Sequence, residues 1–316
     1  MSVALGPIPT SDPPFMRRVR IHQAWYRAEV LRIPTYGILA GSGQPCGSVL
    51  PDEAAEQYLN FVGSDAIDRY LARRRMGWGV DPVRCTKYLT SSQTLSFNML
   101  AQAVSRSSEC AELFNRLLDR TDLQALESSS FEFAAQGTPY SLGDKTLLDM
   151  LLRFRTRSGA LQVVAVETKL ADRFSTRRTA AAGQAKYVEI ARLSALWHDM
   201  AAAVNDNRTR QLTRCHALAQ SVQHHDGGLA DQQAVLVVLT HPEDSSGAEC
   251  VARYSKRVSA DRAIVHCSWA EYLKTARSVG AIETSAINEL SSRYVDLALS
   301  DEAWVGFNER SKKRSA

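Results

Sequence analysis

The 316-residue chain carries 38 Lys and Arg against 34 Asp and Glu, a formal charge of +4, and is 45% hydrophobic. That composition supports one large α/β domain or two modest ones and excludes a largely disordered chain. So small a charge excess neither establishes nor excludes nucleic-acid binding, which has to be read from local clusters instead.

Six cysteines (46, 85, 110, 215, 250 and 267) lie far apart, with no Cys-x-x-Cys pair or neighbouring His array, the pattern of a reduced cytoplasmic protein. Pro7, Pro9, Asp12 and Pro13-Pro14 interrupt any apolar signal core, and no stretch approaches the roughly 20 apolar residues that cross a bilayer. The expectation is a cytoplasmic protein with no membrane partner.

In chain order, residues 1–16 read as an irregular leader and Met16 to Leu31 as a helix burying Val19, Trp25 and Val30. Residues 34–51, crowded with Gly and Pro, read as a loop. Their Gly41-Ser-Gly43 lacks the Gly-Lys-Ser/Thr ending of a phosphate loop and reads as an ordinary turn. Helices follow over Asp52 to Arg75 and Ser92 to Leu118, then a connection over Asp119 to Leu126.

The pattern then changes to strands: Phe131-Glu-Phe133, Thr146 to Phe154, and Leu161 to Lys169, joined by turns containing Gly143 and Gly159. Helical stretches cover Ala180 to Ala203 and Thr209 to Gln223. Ala234 to Thr240 is a buried strand, and Ala263 to Cys267 a further one. Ser268 and Glu271 have the spacing of a capping box opening a helix at Trp269. A last helix spans Glu283 to Leu299, and Lys312-Lys-Arg314 falls in a basic tail. This order favours a mixed α/β core over a regular βαβ repeat. It divides into an N-terminal, mainly helical region packed on the core (1–125), the core (126–305) and a flexible tail (306–316).

Residues two apart on a strand share a face, so Glu167 and Lys169 stand with Val163 and Ala165, and Asp149 with Leu147 and Leu151. If the two strands pair with their acidic ends close, Asp149, Glu167 and the Thr168 carbonyl offer hard oxygen ligands suited to Mg²⁺, with Mn²⁺ as a substitute. Such a cation activates water and neutralises charge on a phosphodiester, while Lys169 orients water or phosphate. The competing account is a surface hairpin with solvated Glu167 and Lys169.

Asp149 followed by Glu167-Thr-Lys169 resembles the PD-(D/E)XK, or restriction-endonuclease-like, nuclease superfamily, with Leu148 where that motif has proline. The resemblance implies a mixed central sheet flanked by helices, here with an N-terminal helical extension. It also implies Mg²⁺-dependent hydrolysis of DNA, with Asp149 and Glu167 as metal ligands and Lys169 as the catalytic lysine. Ser91 to Asn98, Phe131 to Phe133, Thr146 to Asp149, Arg210-Gln-Leu212 and His216 to Ala219 resemble, in order, a bacterial subgroup of that superfamily.

Glu132 is a candidate further catalytic acid, and also fits an ordinary strand with one outward acid; Asp144 is a weaker candidate. Arg173, Arg177 and Arg178 are candidate phosphate contacts, which Arg153, Arg155 and Arg157 would broaden. Gln184 and Tyr187 have Gln-x-x-Tyr spacing, resembling a helical motif of some exonuclease branches; Gln184 is a candidate for orienting phosphate or water. Arg210, Gln211, Arg214 and His216 are candidates for contacting substrate or a partner. The reading is a metal-dependent deoxyribonuclease, endonucleolytic, in bacterial DNA processing or defence. The alternative is a catalytically inactive DNA-binding or scaffold module, and a homodimer is the expected assembly for it.

Overall fold

The computed structural model describes residues 5–176, 181–226, 232–259 and 263–315, without the side chains of 181–184 and 310–315. Its centre is a five-stranded mixed sheet in the order β1 (Leu123–Ala134), β2 (Leu147–Thr156), β3 (Leu161–Thr168), β4 (Val235–Thr240), β5 (Ile264–Ser268). β1, β2 and β3 form an antiparallel meander, whereas β4 and β5 run parallel to β3. The switch from antiparallel to parallel pairing occurs at β3. Helices flank this sheet, and the N-terminal helical extension begins with Pro14–Trp25 and a π-helical turn at Tyr26–Val30.

Strand position follows from composition. All eight residues of β3 and all six of β4 are buried, as the continuous apolar runs of strands covered on both faces require. β1, rich in serine and partly exposed along its length, takes an edge. The β2–β3 hairpin closes through Gly159, whose φ of 81° and N–H bond to the Thr156 carbonyl (2.9 Å) make a turn that a Cβ would strain.

The chain groups into two compact units: residues 1–99 with 170–172 and 284–316, and residues 100–169 with 173–283. The second contains the sheet. One core packs Leu151, Val163 and Ala165 from one sheet face against Leu212, Cys215, Leu218, Ala219 and Val222 of helix Arg210–His225. On the other face, Phe114 of helix Ser107–Leu117 meets Phe154 with ring centroids 5.4 Å apart. Helix Trp269–Val279 opens with the capping box of Ser268 and Glu271 and ends at Gly280 in the left-handed region.

Several element boundaries differ from the sequence expectation. The helix expected over Asp52 to Arg75 is two, Asp52–Glu56 and Gly63–Arg74, parted by Tyr58 and Gly63 at positive φ. The stretch Ser92 to Leu118 is Ser92–Val104 and Ser107–Leu117. β1 starts at Leu123, inside the expected connection, because its Ser-rich centre hides a 12-residue edge strand from an apolar-pattern reading. Val30, expected inside, is 46% exposed at the end of the π turn Tyr26–Val30, where the helix widens and its side-chain phase shifts. Residues 306–315 belong to helix Asp301–Ser315. Among the described residues, no helix is long and apolar enough to cross a membrane.

Candidate active site

Register brings the acids together. Met150 pairs with Val166, so one step on Asp149 stands at the level of Glu167. On the other side of β2, Phe131 pairs with Met150 and Phe133 with Leu148, which sets Glu132 at the level of Asp149. Three acids on three adjacent strands thus occupy one row, at the end of β3 where antiparallel pairing gives way to parallel pairing.

Asp149 is half-buried, and its Oδ2 accepts two hydrogen bonds from Thr168, from the backbone N at 2.7 Å and Oγ1 at 2.8 Å. Burial, then the like charge of Glu167, push its carboxyl up to about 7, against the pull of Lys169 and the Thr168 bonds. Glu167 is only 1% exposed. Its Oε1 accepts from Lys169 Nζ at 2.6 Å and from Gln211 Nε2 at 2.5 Å, while Cys215 Sγ lies 3.4 Å from Oε2. The Lys169 ammonium also sits over the Phe174 ring, 5.3 Å from its centroid, and the Lys169 carbonyl accepts from Trp269 Nε1 at 3.1 Å. This Lys–Glu pair is thus enclosed by protein.

Helix Arg210–His225 supplies the covering side. Gln211 and Cys215, four apart, project from one helical face onto Glu167. Gln211 Oε1 accepts from Ser175 N at 2.7 Å, and Arg210 Nη1 donates to the Thr176 carbonyl at 3.1 Å. The first turn of this helix therefore ties the chain just after Lys169 to the carboxylate before it. The sequence makes Gln211 a contact to substrate or a partner and Cys215 one of six scattered, reduced cysteines, whereas the fold turns both onto Glu167. Their i, i+4 spacing on a helix facing β3 was the available signal.

Glu132 is buried, with φ at 48°, and the β1–β2 register is the same on either side of it. Although the register aligns it with the other acids, among the described residues no group of three or more His, Cys, Asp or Glu is arranged to hold a metal. A cation at this strand end would have the carboxyls of Asp149 and Glu167 and backbone oxygen as its donors. Two carboxyls on adjacent strands, one resisting ionisation through its burial and then through the charge of the other, are a fit for a divalent cation in charge and in donor type.

Other expected contacts are placed elsewhere. Arg173 is exposed. Arg177 and Arg178 lie outside the described residues, as does the side chain of Gln184. Arg153, Arg155 and Arg157 do not broaden a rim at the acids: Arg157 is eight residues along from Asp149, roughly 26 Å at a strand's rise. Arg153 is paired with Asp226 and Arg155 with Glu127, both at 2.5 Å.

Asp144 binds Tyr187 Oη at 2.9 Å, the Thr146 amide at 2.9 Å and, at 3.5 Å, Arg214 Nε, so it holds a buried structural network. Tyr187 is wholly buried in that network. His216 is also interior, bridging Tyr254 Oη and the Ala234 carbonyl at 3.1 Å each, and burial pushes its pKa down to about 4. Arg214 and His216 are thus braces within the core, unavailable to a partner.

A mixed sheet with an acid on β2 and an acid-x-Lys triplet ending β3, backed by a helix, is the restriction-endonuclease-like architecture. The model of the PD-(D/E)XK nuclease superfamily matches residues 10–296, and the chain belongs to that superfamily. No curated protein and no solved structure gives a match.

Proposed function

We propose that the protein is a Mg²⁺-dependent deoxyribonuclease, cutting DNA internally, that serves bacterial DNA processing or defence within the subgroup its ordered motifs resemble. The reading rests above all on the raised carboxyl of Asp149 facing the Glu167–Lys169 pair at the end of β3. Perturbed titratable groups converging at one strand end are the physical mark of a reactive centre.

Asp149, Glu167 and the Thr168 carbonyl would hold the cation, which supplies charge neutralisation at the phosphodiester and acidifies water. Thr168 fixes the Asp149 carboxylate through its amide and hydroxyl. Lys169 presents an ammonium to the attacked phosphate or its water, positioned by Phe174 and Glu167. Gln211 steadies Glu167, Gln184 is a candidate for orienting phosphate or water, and Glu132 stands in reserve as a further acid. Arg173, with Arg177 and Arg178, would contact the DNA backbone.

The occupied oxygens of Glu167 favour one second reading, a catalytically inactive DNA-binding or scaffold module, assembled as a homodimer. Both readings meet in one experiment. Purified protein is incubated with linear, circular and single-stranded DNA and with RNA, under Mg²⁺, Mn²⁺ or chelator. Metal-dependent cutting of circular DNA, lost in folded Asp149→Ala and Lys169→Ala variants, is the expected result. Strict dependence on free ends would sink the endonuclease assignment, and DNA binding without cleavage of any substrate would establish the inactive module.

A further inference from the structure

Within the first unit, helix Gly63–Arg74 ends in a short exposed turn. Its stretch Ala72 to Gly79 contains three arginines and no acid. Arg74 and Arg75 are exposed, and Met76 and Trp78 show 63% and 41% of their surface. An indole and a thioether left this open beside two arginines give the turn a mixed apolar and cationic face.

The turn is held in shape. Arg73, itself 7% exposed, places its guanidinium over the Trp78 ring at 5.0 Å from the centroid. Gly77 and Gly79 have φ of 81° and 83°, and a Cβ at Gly79 would meet Arg73 Nη2 at 2.4 Å. Gln93 of helix Ser92–Val104 then fastens the far side, donating to the Gly79 carbonyl at 3.0 Å and accepting from Asp81 N at 3.1 Å. The sequence motif Ser91 to Asn98 thus includes the anchor of this turn.

We infer that the turn Arg73–Gly79 is a nucleic-acid contact, in which Arg74 and Arg75 meet backbone phosphates while Trp78, stiffened from one side by Arg73, stacks on an unpaired base. Charge complementarity selects the occupant: an acid-free run of arginine neutralises a polyanion, and an exposed indole offers a sequence-tolerant stacking platform. A second protein would meet a charged rather than apolar rim. The inference rests on the DNA-directed reading of the protein and adds to it a preference for strands with accessible bases.

The test is fluorescence anisotropy of labelled single-stranded and duplex oligonucleotides in chelator across a salt series. It compares wild type with Arg74→Ala/Arg75→Ala, Trp78→Ala and Trp78→Phe. Loss of two phosphate contacts lowers the slope of log affinity against log salt by about 1.4 on single strands and about 1.8 on duplex. Trp78→Ala weakens single-strand binding about tenfold, with partial rescue by phenylalanine and a smaller effect on duplex. Circular dichroism checks folding, and hydrolysis of bis(p-nitrophenyl) phosphate under Mg²⁺ is followed in parallel.

Variants that bind like wild type, with unchanged salt slopes, overturn the inference, as does a wild type that binds neither oligonucleotide. A wild type that hydrolyses no substrate yet loses DNA affinity through these substitutions upholds the contact and overturns only the nuclease.

Discussion

Replacing Asp149 by asparagine is expected to stabilise the metal-free protein at neutral and mildly alkaline pH and to remove most of the dependence of stability on pH in the window below. The cause is the upward shift of the Asp149 carboxyl to about 7 by burial and by the charge of Glu167. A carboxyl of ordinary affinity in the unfolded chain releases its proton near pH 4. Between roughly pH 4 and 7, therefore, the native state holds more protons than the unfolded one, and stability falls as pH rises.

At 1.36 kcal/mol per pH unit, a shift from 3.8 to about 7 corresponds to about 4 kcal/mol at full burial. Asp149 keeps partial exposure, which brings the expected gain to about 2 kcal/mol. Asparagine still offers an oxygen to the Thr168 amide and hydroxyl, so the substitution removes charge without removing the acceptor. Urea denaturation in chelator, repeated from about pH 5 to about pH 8, reads the effect as a gap between variant and wild type that widens with pH. Added Mg²⁺ should then raise the wild-type midpoint more at the alkaline end, because a carboxyl ligand must be ionised, and leave the variant nearly unmoved. Parallel pH profiles, or a variant less stable throughout, would refute the electrostatic account of the site.

Gln211→Leu removes the amide shared by Glu167 and Ser175; it should cost about 1–3 kcal/mol of stability. Turnover should also drop by about tenfold or more, measured as kcat under saturating metal. Cys215→Val deletes the thiol beside Glu167 and should be more damaging than Cys215→Ser, which keeps a donor; melting curves of the two variants decide it. Burial raises the Cys215 thiol well above its ordinary value and pushes Cys250 up to about 11, so at neutral pH maleimide should leave Cys215 unmodified in the folded protein and label Cys250 only slowly, read by mass spectrometry. Ser268→Ala breaks the capping box of helix Trp269–Val279 and should lower stability by about 1 kcal/mol in urea titrations.

The parts of the fold and site that were legible in the sequence are those governed by local rules. The alternation-free run Val163 to Val166 announced a buried central strand, and the Ser268-x-x-Glu271 spacing announced a helix start. The hairpin that levels Asp149 with Glu167 was legible because side chains alternate along a strand with fixed parity. What escaped depends on partners distant in sequence. The bond from Gln211 to Glu167 crosses 44 residues, and that from Arg214 to Thr146 crosses 68, so no local pattern distinguished a brace from a surface amide or cation. Arg155 and Arg157 misled for the converse reason: nearness in sequence to Asp149 on an extended strand is distance in space.

The enclosure of Glu167 also determines how removal of Lys169 must be read. A carboxylate 1% exposed, with an ammonium on one oxygen, is stable as a charged group only while that partner stays. Lys169→Ala leaves it with the Gln211 amide and the Cys215 thiol, and is expected to destabilise the protein by about 3 kcal/mol in addition to abolishing catalysis. Glu167→Gln in the same chain removes the stranded charge. The double variant should recover at least half of that loss while remaining inactive, a coupling read from urea midpoints of the two single variants and the double. Strictly additive losses would mean that Lys169 and Glu167 are held independently, and the loss of activity in Lys169→Ala could then be assigned to chemistry alone.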